Sequence, residues 1–245
     1  MSETWIILGA TSGMARAFAR KLAEKGHALV LCGRKMNEMA SDAQDLEARG
    51  ASNAVVSELD IRDPASFAPI IEEARGRSGL INVAVFVGTM PEQSEIDADP
   101  SLVDGTVMDS LTGPARFLTT IAPVLEERGG GTIVGISSVA GDRGRVTNYV
   151  YGSAKAGFTC YLSGLRNRLG RSGVHVMTVK PGPVDTPMTW GKGKQPFMTK
   201  PEAVADDILR GLDRGRNTIY TAKIWAIIIL VIRLIPEPIF KRMSF

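Results

Sequence analysis

Short, almost wholly apolar runs exchange with stretches of helical periodicity from the first residues to about residue 222, and no other feature restricts the fold of this chain as tightly. The apolar runs fall at residues 4–8, 28–32, 54–59, 81–87, 131–136, 174–179 and 217–220. Strands that read as continuous apolar runs are those covered on both faces, whereas a half-exposed antiparallel strand alternates apolar with polar residues. Between them Met14, Phe18 and Leu22 repeat at helical spacing, as do Phe158, Leu162, Leu165 and Leu169. Pro64 and Pro201 stand where first helical turns begin, and Gly129-Gly130-Gly131 punctuates the entry to the fifth strand. The pattern predicts an α/β protein with a parallel sheet covered by helices on both faces. A chain of 245 residues fits one such domain. The expected division is a catalytic domain over 1–222 and an apolar C-terminal helical tail over 223–245.

Several function classes drop out early. A net charge of +3 without a clustered basic stretch gives no footprint for nucleic acid. His27 and His175 are expected on strands without partners at ligand spacing, so no metal site is expected. The two cysteines, Cys32 and Cys160, lie in apolar runs and are expected as buried free thiols of a reducing compartment. The N-terminus runs into Trp5-Ile6-Ile7-Leu8 with no basic stretch or small-residue cleavage site before it, so a cytoplasmic protein is expected.

Directly after the first strand comes Gly9-Ala10-Thr11-Ser12-Gly13-Met14-Ala15, opening a helix. Glycines there let the backbone turn and approach a pyrophosphate, and the helix N-terminus offers free N–H groups and partial positive charge. The second strand ends in Gly33-Arg34-Lys35, with no acidic residue to bind a ribose 2′-hydroxyl and two cations where a 2′-phosphate would lie. NADP(H) is therefore expected over NAD(H). In Leu59-Asp60-Ile61, after the third strand, Asp60 is placed to accept from an adenine amino group; capping the next helix is the alternative.

The fifth strand ends in Ser137-Ser138, and Tyr151-Gly152-Ser153-Ala154-Lys155 begins a long helix. Tyr151 and Lys155, four residues apart, share a helix face. A carbonyl that receives hydride needs a proton on its oxygen, and a phenol supplies one if a nearby cation lowers its pKa from about 10. Ser138 would hold the substrate oxygen beside Tyr151.

With these segments together, the chain resembles the short-chain dehydrogenase/reductase family over residues 4 to 222. The resemblance implies a Rossmann-type, doubly wound, seven-stranded parallel sheet, a nicotinamide cofactor and a Ser138-Tyr151-Lys155 mechanism in which Lys155 also bonds the nicotinamide ribose. By position it further implies cofactor contacts at Gly9, Thr11, Ser12, Gly13, Met14, Ile61 and Gly88, and in Pro181-Gly182-Pro183-Val184-Asp185-Thr186 at Pro181, Gly182, the Val184 backbone and the Thr186 hydroxyl. Three departures stand out. The family's T-G-x-x-x-G-x-G has Leu8 and Ala15 at its first and last positions, its N-N-A-G is Phe86-Val87-Gly88-Thr89, and the relay asparagine is replaced by Ser110. They leave a catalytically weak NADP-binding scaffold or sensor as the rival reading.

The departures and the tail are similar to the branch of decaprenylphosphoryl 2-keto-pentose reductases of cell-wall arabinose synthesis, which implies a ketone on a lipid-linked sugar. A small free ketone, alcohol or acyl substrate is the alternative. Residues 188–200 are expected to cover the substrate. In the tail, Ile224-Trp225-Ala226-Ile227-Ile228-Ile229-Leu230-Val231-Ile232 is the most apolar run of the chain. It falls short of the roughly 20 residues that cross a bilayer. A homo-oligomer is expected, and the tail is read either as an assembly element or as a helix lying in the membrane interface at the inner face, flanked by Lys223, Arg233, Lys241 and Arg242.

Overall fold

A computed structural model describes residues 3–190 and 195–244. The chain runs β1 (Thr4–Leu8), α1 (Gly13–Ala23), β2 (Ala28–Gly33), α2 (Met36–Ala48), β3 (Asn53–Glu58), α3 (Phe67–Gly76), β4 (Ile81–Val85), α4 (Gln93–Ala98), α5 (Leu102–Val107), a π-turn (Met108–Thr112), α6 (Gly113–Arg128), β5 (Gly131–Ile136), α7 (Tyr149–Leu169), β6 (Val174–Pro181), α8 (Pro201–Asp213), β7 (Thr218–Thr221), α9 (Ile224–Leu234) and α10 (Glu237–Phe240). The strands form one parallel sheet of seven in the order β3-β2-β1-β4-β5-β6-β7.

Alternation along β1 explains the unbroken apolar run. Ile6 and Leu8 point into a core with Phe117 and Leu118 of α6 and Phe158 and Leu162 of α7, while Trp5 and Ile7 point to the opposite core with Phe18 of α1 and Ile208 of α8. Both faces are roofed by helices, so every β1 residue is buried. The edge strands depart from that expectation: β3 is only half-buried and β7 opens with an exposed Thr218, since each has one neighbour in the sheet.

Helix ends follow local chemistry. Ser12 caps α1 by accepting from the Ala15 N–H at 3.2 Å, and Pro201 takes the first position of α8, where no N–H is needed. Two expectations are corrected. His27 precedes β2 rather than lying on it, held by a 3.3 Å bond from the Glu3 N–H to its Nδ1. Cys160 is exposed, because the buried stripe of α7 passes through Phe158 and Leu162 and leaves residue 160 on the outer face. Cys32 is buried as expected, and burial pushes its thiol far up.

Among the described residues no helix is long and apolar enough to cross a membrane. The tail helix α9 buries Trp225 and Ile229 against Val139 and exposes Ile227, Leu230, Val231 and Leu234. Arg143 fastens its far end. The guanidinium donates to the carbonyls of Ile232 and Ile235 at 2.5 and 2.7 Å, pairs with Glu237 at 3.0 Å and lies 3.6 Å from the Phe240 ring centroid. These contacts satisfy carbonyls that the end of a helix leaves open.

Candidate active site

The chain winds outward from β1 through β2 to β3, then crosses back to place β4 on the other side of β1. At such a reversal the loops leave in opposite directions and open a crevice at the carboxyl ends of the strands. Gly9 sits there with φ +74, and a Cβ on it would come within 3.1 Å of the Phe86 and Val87 backbone. The bare backbone of Gly9 is what lets the loops after β1 and β4 touch. The crevice continues into a cleft of about 800 Å³ lined by Met14, Gly88, Ser138, Tyr151, Lys155, Pro181, Gly182, Val184 and Thr186, among others.

Ser138 begins a short turn, where its Oγ accepts from the Ala140 N–H at 3.1 Å, and it lines the same cleft as Tyr151. Ser137 is structural instead: its buried Oγ donates to the Lys155 carbonyl at 2.9 Å and lies 2.6 Å from Thr159 Oγ1, tying α7 to the end of β5. Lys155 is buried, and its Nζ donates to the Ile136 carbonyl at 2.9 Å.

The electrostatics differ from the sequence expectation. Burial pushes the Tyr151 phenol up to about 12, and the opposing effects come from the Ser138 hydrogen bond and the charge of Arg145. Lys155, whose Nζ is 5.9 Å from the Tyr151 ring centroid, is not among them. Burial itself pulls the Lys155 ammonium down to about 8. Desolvation of both groups outweighs the attraction expected between them.

Ser110 lies in the π-turn, completely buried. Its hydroxyl accepts from the Thr89 N–H at 3.3 Å and donates to the Thr89 carbonyl at 3.2 Å, and a Cβ on Gly88 would lie 3.4 Å from Ser110 Oγ and 3.1 Å from Lys155 Nζ. Ser110 thus ties the loop after β4 to the helix beside Lys155. Asp109 pins this turn from behind by accepting from Arg62 Nε and a terminal guanidinium nitrogen at 2.6 and 2.8 Å. Bidentate pairs of this kind fix geometry as well as adding energy, and π-turns concentrate at functional sites.

The adenosine half is more open. Gly9, Thr11, Ser12, Gly13, Arg34, Lys35, Asp60 and Ile61 lie outside the cleft lining, in the segments that follow β1, β2 and β3. Lys35 donates to Glu38 at 2.8 Å, and Glu38 also accepts from Arg16 at 3.0 Å. Arg34 is exposed and makes no ion pair among the described residues. Asp60 accepts from the Arg62 N–H at 2.9 Å, and the next helical turn is capped by Asp63, not by Asp60. The Thr186 hydroxyl turns back onto the Val184 carbonyl at 3.3 Å.

The tail belongs to this site. Trp225 packs on Gly182 so closely that a Cβ there would lie 2.0 Å from Trp225 Nε1, and Trp225, Ile228 and Ile232 line the cleft. Of the segment expected to cover the substrate, Met188, Thr189, Gln195, Pro196 and Phe197 line the cleft, and residues 191–194 lie outside the described residues. Phe197 meets Trp225 edge to face at 6.4 Å. Sequence reasoning missed Trp225 as a wall of the cleft, and Arg62, Asp109 and Arg145 altogether.

A doubly wound sheet with a glycine turn at its crevice and a Ser, Tyr and Lys set beside it defines a dinucleotide-dependent oxidoreductase class. The profile described as short chain dehydrogenase matches residues 3–196. The chain belongs to that family and is an oxidoreductase. It is 33% identical over 241 residues to an uncharacterized oxidoreductase of Mycobacterium tuberculosis, covering 97% of this chain and 96% of that one. It is also 33% identical over 197 residues to sulfoacetaldehyde reductase 2 of Chromohalobacter salexigens, covering 77% and 75% of the two chains. Its fold is similar to that of a short-chain dehydrogenase from Sphingobium yanoikuyae in complex with NADPH, with a TM-score of 0.82 at 24% identity, covering 91% and 88% of the chains.

Proposed function

We propose that the protein is an NADPH-dependent carbonyl reductase in which Tyr151 gives the proton, Ser138 holds the reacting oxygen and Lys155 holds the nicotinamide ribose. The observation that carries this reading is the meeting of Ser138, Tyr151 and Lys155 in one cleft beside Gly88. Lys155 Nζ makes a single bond to a backbone carbonyl and keeps two donors for ribose hydroxyls, so these residues suit a nicotinamide cofactor. The cofactor, NADP(H), supplies the hydride. Its pyrophosphate would lie on the Gly9–Gly13 turn and the N-terminus of α1, its 2′-phosphate beside Arg34, and its nicotinamide end among Pro181, Gly182, Val184 and Thr186.

As the carbonyl oxygen gains charge, the Tyr151 hydroxyl transfers its proton to it while the Ser138 hydroxyl, lining the same cleft, steadies the same oxygen. A phenol pushed up to about 12 keeps its proton at neutral pH, which suits the direction of ketone reduction. Ser110 keeps the Gly88 loop in place beside Lys155. Residues 1–222 form the catalytic domain, and the tail completes its cleft. Consumption of NADPH in step with a ketone tests this activity.

For the cofactor, Arg34→Asp is expected to weaken NADPH binding by about 10- to 100-fold, the size of losing a charge-assisted contact and gaining repulsion, and to leave NADH binding little changed. Calorimetric titration with both nucleotides checks it, and tighter NADH than NADPH binding by the parent protein would refute the cofactor assignment.

A finer reading is favoured by α9, which lines the cleft on one side and exposes Ile227, Leu230, Val231 and Leu234 on the other. Lys223, Arg233, Lys241 and Arg242, all exposed, flank or interrupt that apolar run in the chain. The reading is a lipid-linked keto-sugar taken from an anionic membrane surface on the cytoplasmic side. Removing the tail would strip Trp225 from the cleft, so the variant of choice is Leu230→Glu with Leu234→Glu. Parent protein is expected to sediment with anionic phosphatidylglycerol vesicles, and the double variant is expected to stay in the supernatant with NADPH binding intact. If neither sediments and the variant instead loses a stable dimer, α9 is an assembly element.

A further inference from the structure

The turn that feeds α7 carries a cation the reduction chemistry does not use. Arg145 lines the cleft, half-buried, on a turn closed by the Asn148 N–H donating to the Arg145 carbonyl at 3.1 Å. Its Nε is buried without a hydrogen-bond partner, and so is Asn148 Oδ1 on the same turn. No carboxylate pairs with Arg145 among the described residues. Asp142, the nearest acidic group to influence it, is occupied from the other side by Lys180 at 2.5 Å and by the Tyr220 hydroxyl at 3.1 Å. Of the charged side chains lining the cleft, Arg145 and Lys155 are cationic and Glu92 is acidic.

A half-buried guanidinium without a carboxylate partner is costly to keep, and such groups in a cleft mark places where a ligand brings the missing charge. Lys155 has a role through the ribose, but Arg145 sits on the substrate side, on the chain segment leading into Tyr151. Its charge acts on the Tyr151 phenol, so it lies within electrostatic reach of the reacting oxygen. A planar guanidinium at the cleft wall carries nitrogens in a fork that matches an oxyanion in bidentate fashion.

We propose that Arg145 is the specificity-determining residue of the cleft and that the substrate is an anionic ketone, carrying a carboxylate-like oxyanion close to the carbonyl that is reduced. The proposal rests on the assignment of this cleft as the carbonyl site.

The probes are benzoylformate, an anionic ketone, and its neutral methyl ester, titrated calorimetrically into NADP⁺-saturated parent protein and into the Arg145→Met and Arg145→Lys variants. Folding of each variant is checked by its NADP⁺ affinity. The parent is expected to bind benzoylformate at least tenfold more tightly than Arg145→Met does, with partial recovery in Arg145→Lys and less than a twofold change for the ester. An equal loss for acid and ester, or no saturable binding of benzoylformate by the parent at millimolar concentrations, would overturn the proposal. Turnover is not needed for this readout. Failure of the reductase assignment would show instead as absent NADPH oxidation with anion binding still dependent on Arg145.

Discussion

Tyr151→Phe is expected to keep the fold and NADPH affinity of the parent while losing turnover by about 10²- to 10⁴-fold, the range over which a positioned proton donor acts. The buried ring remains, and Ser138 Oγ still accepts from the Ala140 N–H, so the turn that presents Ser138 is unaffected. Only the proton leaves. Because burial pushes the phenol up to about 12, the hydroxyl removed is one that carries its proton at neutral pH. Calorimetry with NADPH separates binding from turnover. Activity within a few fold of the parent would remove Tyr151 from the mechanism.

Lys155→Met is expected to abolish measurable turnover, weaken NADPH binding, and change stability in a pH-dependent way. Burial holds the ammonium at about 8 in the folded protein against 10.5 in the open chain. Between those values the unfolded chain binds more protons than the folded one, so the parent gains stability as pH rises from about 8 to 10.5. Below pH 8 the burial penalty is present in full. The variant lacks it, and its stability relative to the parent should fall by roughly 3 kcal/mol across that window, at 1.36 kcal/mol per pKa unit. Loss of the bond to the Ile136 carbonyl adds an offset that does not vary with pH. Urea unfolding without cofactor at pH 7 and pH 10.5 reads the change. A pH-independent difference would mean that Lys155 titrates normally.

These effects rest on features that differ in how far the sequence reveals them. The sheet was legible because a doubly covered strand leaves a run such as Trp5-Ile6-Ile7-Leu8, whose two faces enter two cores. Ser138, Tyr151 and Lys155 were legible because the helix repeat and a strand end place them without long-range information. Cys160 was misjudged because apolar neighbours in sequence do not share its helix face. The Arg62–Asp109 pair joins residues far apart in the chain, and nothing local in either names the other. The same holds for Arg143, which reaches the carbonyls closing α9. Trp225 read as one more apolar residue of a tail, and only its packing on Gly182 makes it a wall of the cleft. The raised Tyr151 pKa escaped sequence reasoning for a related reason: spacing gives the proximity of a lysine, whereas desolvation depends on everything packed around both groups.

The most direct test of the central claim follows the hydride itself. NADPH carrying deuterium at both C4 positions of the nicotinamide is incubated with the parent protein and a ketone panel that includes benzoylformate and its methyl ester, and the product alcohols are analysed by mass spectrometry. The account predicts deuterium at the carbinol carbon of at least one product, formed in step with NADP⁺, and its loss in Tyr151→Phe despite intact NADPH binding. Unlabelled product, or labelled product formed at equal rates by Tyr151→Phe, would contradict it.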